Sequence, residues 1–376
     1  MRVLLYDNPN GYAVLFAKQL KEYENYDITI ISEKINQYDE WIEADPRTRH
    51  LRYSIKINKI LGRTIRHHPT RKEIQSYDVI VCFTKTGLSW LSKNNLKFIY
   101  YNIGGFKENL WSFKQTKSPL KKVVRYYRSL KFKRGLKCAT RIVVSNQMDF
   151  EHVFYSNFNY KIHYVPMLTQ RWNINVSTNY TQTENGVIDF IHISSQNYFI
   201  KGNDIILEIL EKLMASGHSN FHFHLVLWGK DQDKTKEFLK TSLLRKRTNI
   251  LPWMKRNELE NYVRNLSKPI LLGEFSDYSG PGTGGAVREL SSAGIPCITY
   301  AAYNDTELRP QIERVDYVVN STKNQLYEKL LSILKMSNSE LKKLSEYTIE
   351  KFNEIYNPKK IQNSLKELID DQANFK

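Results

Sequence analysis

The residues best placed to do chemistry lie in the run Pro281-Gly282-Thr283-Gly284-Gly285-Ala286-Val287-Arg288-Glu289. It follows an apolar segment at 269–272 and a polar turn, and it opens a helix near Gly285 that stops at Ala293-Gly294. Backbone N–H groups at a glycine-rich helix entrance can approach an anion closely, and the helix dipole favours negative charge there. Glu289 lies about one turn inside that helix and faces back over the same crevice. Strand, glycine-rich turn, short helix and a further strand at 295–300 make a phosphate-binding unit of an α/β sheet. A plain tight turn is the competing reading.

No metal motif accompanies it. Asp231-Gln232-Asp233 follows Gly229 in a lysine-rich loop and reads as a solvated turn. His222 and His224 alternate on a strand and read as sheet residues, and His67-His68-Pro69 has no carboxylate nearby in sequence. Cys82, Cys138 and Cys297 are odd in number and scattered among apolar segments, which fits reduced core thiols of a cytoplasmic protein. The N-terminus turns polar too quickly for a secretory signal, and no apolar run has transmembrane length.

The elements that must position these residues form two sets. A chain of 376 residues should divide into two domains. Strands at 2–6, 27–32, 77–83, 96–101, 141–145 and 161–166 alternate with helices, which predicts a parallel, doubly wound first domain over 1–168. Residues 169–186 lack periodicity and are rich in Asn and Thr, so a linker is expected there. The α/β pattern restarts over 187–350, and the helical tail at 351–376 carries an apolar face of Leu365, Leu368 and Ile369. Charge follows the same division. Residues 1–168 hold 29 Lys and Arg against 14 Asp and Glu, a net +15 of the chain's +17. Such asymmetry implies that the first domain meets something anionic.

The basic excess peaks at 114–137, with ten Lys or Arg and no acid. Leu120, Val123, Val124, Tyr127 and Leu130 form an apolar stripe at helical spacing, among Lys121, Lys122, Arg125 and Arg128. That is the pattern of a helix lying on an anionic membrane surface. A helix packed on the core with a solvated basic face is the alternative. Nucleic-acid binding reads the same charge but lacks a recognition motif.

From 187 to 300 the order of features resembles the nucleotide-sugar glycosyltransferases of GT-B fold, family 4 in particular. A strand and Lys201-Gly202-Asn203-Asp204 precede a strand ending at Gly229. Trp253-Met254, Glu258-Leu259 and the glycine-rich loop with Glu289 follow. The first domain matches loosely, through Gly11 after its first strand and through 139–145. The resemblance implies two Rossmann-like domains with parallel sheets facing across a cleft, and a tail helix returning to the first. It implies a UDP- or GDP-linked sugar as donor, no cofactor and no metal. Lys201 would contact the donor diphosphate, where a compact ammonium stabilises a leaving phosphate, although a solvated lysine is the plain alternative. Glu289 would hold the ribose, or act only as a partner of the helix dipole. Gly282, Thr283, Gly284 and Gly285 would face diphosphate or sugar, with Ser195, Gln196, Trp253, Met254 and Gly11 completing the donor site.

Two positions depart from the pattern. The family's first glutamate falls on Pro281, leaving Asp277 or Glu274 to supply a carboxylate, and Gln196 replaces an arginine. Asn102, before Gly104-Gly105, lies where relatives line the sugar site. Asp277 and Asn102 are therefore the candidates nearest the chemistry; no general base stands out, and the resemblance implies a retaining transfer. The expected acceptor is a lipid-linked saccharide or anionic surface glycan, met on the cytoplasmic face of the membrane. The alternative is a non-catalytic GT-B-like subunit that binds a partner glycosyltransferase.

Overall fold

Four consecutive side chains of the first strand, from Val3 to Tyr6, are fully buried, which requires cover on both faces of a sheet. The structure, a computed structural model, describes residues 1–7, 11–20, 23, 25–32, 48–52, 55–58, 63–66, 69–103, 118–145, 157–177, 179–181, 187–276, 284–300 and 318–374. They fall into two units. The first takes in Met1–Leu168 and returns for Tyr356–Lys376, and the second comprises Thr169–Glu307 and Arg314–Ile355.

In the first unit, β1 (Arg2–Tyr6), α1 (Tyr12–Leu20), β2 (Asp27–Ser32) and β3 (Arg49–Arg52) are followed by a small hairpin, β4 (Ile55–Asn58) and β5 (Arg63–Arg66). Then come α2 (Arg71–Gln75), β6 (Val79–Cys82), α3 (Lys85–Lys93), β7 (Phe98–Tyr101), α4 (Pro119–Cys138), β8 (Ala139–Val144) and β9 (Ile162–Tyr164). Seven parallel strands lie in the order β3-β2-β1-β6-β7-β8-β9, so the winding reverses between β1 and β6.

The second unit contains β10 (Ile188–His192), α5 (Tyr198–Lys201), α6 (Asn203–Ala215), β11 (Phe221–Val226), α7 (Gln232–Thr241), β12 (Thr248–Leu251), α8 (Arg256–Arg264) and β13 (Pro269–Leu272). α9 (Gly285–Ser291), β14 (Cys297–Thr299), β15 (Val319–Asn320), α10 (Leu326–Leu334) and α11 (Asn338–Ile355) complete it. Its six parallel strands run β12-β11-β10-β13-β14-β15, and the reversal falls between β10 and β13. Ligands of open α/β sheets bind beyond the carboxyl ends of the strands at such a switch point.

Two segments differ from the boundaries expected of the sequence. Residues 169–177 and 179–181 are built into the second unit instead of bridging to it. Trp172, Val176 and Tyr180 are buried, Tyr180 donates to the Pro269 carbonyl (2.5 Å), and Asn179 Nδ2 donates to the Arg264 and Leu266 carbonyls. These anchors are too sparse to leave a periodic signal, yet each fixes the chain. At the other end α11 stays with the second unit. The last helix, α12 (Pro358–Asn374), packs in the first, with Tyr23 and Tyr26 donating to Asn363 and Asp370 (2.9 Å each).

Candidate functional site

The turn carrying Lys201 is fixed from beneath by a buried histidine at the end of β10. The Leu272 carbonyl can only accept, so His192 Nδ1 carries the proton it donates there (2.8 Å). His192 Nε2 then accepts from Asn203 Nδ2 (2.6 Å), and Asn203 Oδ1 accepts the Asn197 N–H (2.7 Å). Burial pushes His192 down to about 4, which keeps the ring neutral and this chain of bonds intact. Asn197 in turn caps α5, whose last residue is Lys201. Gly202 takes φ +68° and lies against the backbone of Phe275 and Ser276, where a Cβ would come within 2.9 Å. The Lys201 carbonyl accepts the Phe275 N–H (3.0 Å), and Ser276 Oγ donates to the Phe199 carbonyl (2.6 Å).

This docking brings the ends of β10 and β13 together at the switch point. Lys201 Nζ donates to Glu274 Oε1 at 2.5 Å, with 27% of the lysine side chain and 15% of the glutamate exposed. Gly284 lies against the same carboxylate, since a Cβ there would stand 2.6 Å from Oε1. Thr299 holds Glu274 from behind, accepting its N–H (3.1 Å) and donating to its carbonyl (3.2 Å). Glu289, a quarter exposed on α9, faces the Arg256 guanidinium at 3.5 Å. Burial raises its carboxyl above the usual range, and Arg256 opposes that rise. Arg256 is itself buried and donates to the Gln170 and Arg171 carbonyls (2.8 and 3.0 Å).

The other expected site residues divide. Gly285 starts α9, and Ser195 is half-buried where Gly229 packs closely on Gln196. Gln196 is fully buried; its Oε1 accepts from Thr235 Oγ1 and its Nε2 donates to the Ser194 carbonyl, so its side chain is consumed inside the protein. Trp253 is exposed and Met254 half-buried ahead of α8. Gly11 is buried at the start of α1 with φ +76°. Asn102 is fully buried after β7, its N–H donating to the Val143 carbonyl (3.0 Å). Asp277, Pro281, Gly282 and Thr283 lie outside the described residues. Asp231 departs from the solvated turn expected of it: it is buried and accepts from the Tyr198 N–H (3.1 Å) and Lys234 (3.0 Å), joining α5 to α7. Sequence reasoning also missed Arg256. An arginine opening a polar helix looks ordinary until its partner on α9 is placed opposite.

In the first unit, α4 buries only Ser129, Phe132, Gly135 and Leu136. Lys121, Lys122, Arg125 and Arg128 are exposed. So are Leu120, Val123, Val124, Tyr126, Tyr127 and Leu130, with Leu120 76% exposed and Val123 66%. The expected apolar stripe therefore exists but is not the face that packs on the core. Among the described residues no helix is long and apolar enough to cross a membrane.

No family model matches the sequence, and no curated protein does. Solved structures do match. The chain is similar to sucrose-phosphate synthase from Thermosynechococcus elongatus, at 12% identity and a TM-score of 0.69 over 100% of both chains. It is similar to HepE from Anabaena, solved in complex with UDP and glucose, at 12% identity and a TM-score of 0.69 over 99% of this chain and 100% of that one. WaaG, a glycosyltransferase involved in lipopolysaccharide biosynthesis, aligns at 15% identity and a TM-score of 0.63 over 97% and 99%. At such identities the likeness is one of fold. The fold is GT-B, with two Rossmann-like α/β units in one chain.

Proposed function

We propose that this protein is a glycosyltransferase that moves a sugar from a nucleotide-diphosphate donor to a lipid-linked or cell-surface glycan at a membrane. The observation that carries the reading is the junction of Lys201, Glu274 and Gly284 at the switch point of the second sheet. An ammonium held beside a carboxylate suits a diphosphate sugar, with Lys201 for the leaving phosphate and Glu274 for sugar hydroxyls. Glu274 thereby takes the place that Pro281 leaves empty in the resemblance. Glu289, set by Arg256, would accept the ribose hydroxyls. Asn102 and Asp277 are further candidates for the reacting centre.

The transfer is proposed to retain anomeric configuration, with the donor diphosphate taking the acceptor proton; this rests on the resemblance. HepE, a neighbour in fold, was solved with UDP and glucose, which supports a UDP-linked donor. The membrane assignment rests on α4, whose apolar and basic side chains are exposed together.

Donor hydrolysis with UDP- and GDP-sugars tests the site. Lys201→Ala and Glu274→Gln should each lower it on the order of 100-fold, the usual loss for one group stabilising developing charge. Unchanged rates in both variants would sink the assignment. The non-catalytic reading draws on Gln196, whose buried amide cannot replace the arginine of the resemblance. That reading would be favoured if no UDP- or GDP-sugar shifts the thermal unfolding of the protein. For the membrane, anionic vesicles should sediment the protein at low salt and release it at high salt; equal binding to neutral vesicles would refute the assignment.

A further inference from the structure

Away from the donor residues, at the opposite ends of the same strands, three side chains converge that the proposed transfer does not use. His222 and His224 alternate along β11 and so share a face, and Asp189 lies across from His222 in the register of β10 with β11. Their ligand atoms all fall within 4.8 Å of one another. Asp189 Oδ1 is 3.0 Å from His224 Nε2 and 3.5 Å from His222 Nδ1. We propose that Asp189, His222 and His224 form a binding site for a divalent transition-metal ion of the zinc class.

The surroundings orient each ligand. Asp189 Oδ2 is occupied by the Ser267 N–H (3.0 Å), Ser267 Oγ (3.2 Å) and the Lys268 N–H (3.3 Å), which turns Oδ1 alone toward the two imidazoles. His224 Nδ1 meets the Tyr262 hydroxyl at 2.7 Å, the outer bond that metal-bound histidines commonly make. The separations of 3.0 and 3.5 Å bracket the roughly 3.3 Å edge of a tetrahedron with zinc–ligand bonds of about 2.0–2.1 Å. Two imidazoles and one carboxylate suit zinc more than magnesium or calcium, which prefer oxygen. His224 and Asp189 are buried while 42% of the His222 side chain is exposed, so the ion enters from the His222 side and water completes its coordination.

Asp189 is three residues before His192, roughly 10 Å along the strand from the end that carries the donor residues. The ion would thus brace β10, β11 and the start of β13 without entering the transfer, and the inference stands whether or not the protein is a transferase. The plain alternative is a buried Asp189–His224 hydrogen bond with His222 as a bystander.

The full chain, dialysed against chelator and titrated with zinc chloride alone, separates the two. We expect one equivalent to bind and raise the unfolding temperature. His222→Ala, a change at a half-buried residue, should leave the metal-free unfolding temperature nearly unchanged, weaken zinc at least tenfold and abolish the upward shift. A His67→Ala/His68→Ala control should keep both effects, and cobalt in place of zinc should give four-coordinate absorption bands that His222→Ala removes. Zinc binding unaltered by His222→Ala, or no stoichiometric binding to the parent protein, would overturn the site.

Discussion

Lys201 and Glu274 meet because the residue after Lys201 is glycine. Any side chain at 202 would need a left-handed backbone and would press on the Phe275–Ser276 peptide. Gly202→Ala should therefore cost about 1–3 kcal/mol of stability and reduce donor hydrolysis along with it. Thermal unfolding and hydrolysis assays on the same sample check this, and an unchanged rate would separate the glycine from the site. His192 makes a prediction about pH. Its folded pKa of about 4 lies below an ordinary histidine value of 6.5, so the unfolded chain binds the extra proton between those values. The contribution is complete above about pH 6.5 and is lost as pH falls toward 4, about 3 kcal/mol in all. The stability difference between the parent protein and His192→Asn, measured by denaturant unfolding, should shrink over that window. A pH-independent difference would show that the neutral ring is not what the buried network requires.

At the scale of elements, α4 has two faces with opposite duties. Phe132, Gly135 and Leu136 pack inward, and a Cβ on Gly135 would run into Leu88 of α3, so the glycine sets how near the two helices lie. Pro119 at the first turn fits a helix start, where its missing N–H has no partner to lose. The outward face keeps Val123 and Tyr127 in solvent. Phe132→Ala should destabilise the protein by about 3–5 kcal/mol. Val123→Asp with Tyr127→Asp should change stability little and abolish sedimentation with anionic vesicles. Calorimetry and vesicle pelleting distinguish the faces, and retained pelleting in the double variant would remove α4 from the membrane assignment.

At the scale of the whole molecule, the first unit is finished by the last helix of the chain. Ile361, Leu365, Leu368 and Ile369 of α12 are buried, and burying one such side chain contributes about 1.5–3 kcal/mol. Tyr26 donates to Asp370, and burial together with that carboxylate pushes its phenol above the ordinary tyrosine range. Deleting residues 357–376 should leave the first unit open to protease while the second stays protected. Limited proteolysis with fragment mapping reads this out, and equal protection of both units would contradict the division.

The sequence by itself determined the alternation of strands and helices, the basic excess before residue 168 and the place of Lys201 after a strand. Those properties are local: apolar periodicity, glycine at turns and charge are written residue by residue. Only the tertiary structure decided which strands are neighbours. β10 and β13 adjoin at the reversal of the winding, so residues 201 and 274 form one pair although 72 residues separate them. The same non-local choice set Arg256 against Glu289, buried Gln196 and Asp231, and gathered Asp189 with His222 and His224. It also turned the apolar stripe of α4 outward, because helical spacing gives the width of a face and not its direction. Sheet order and helix facing are fixed by contacts between distant segments, and no window of sequence contains both partners.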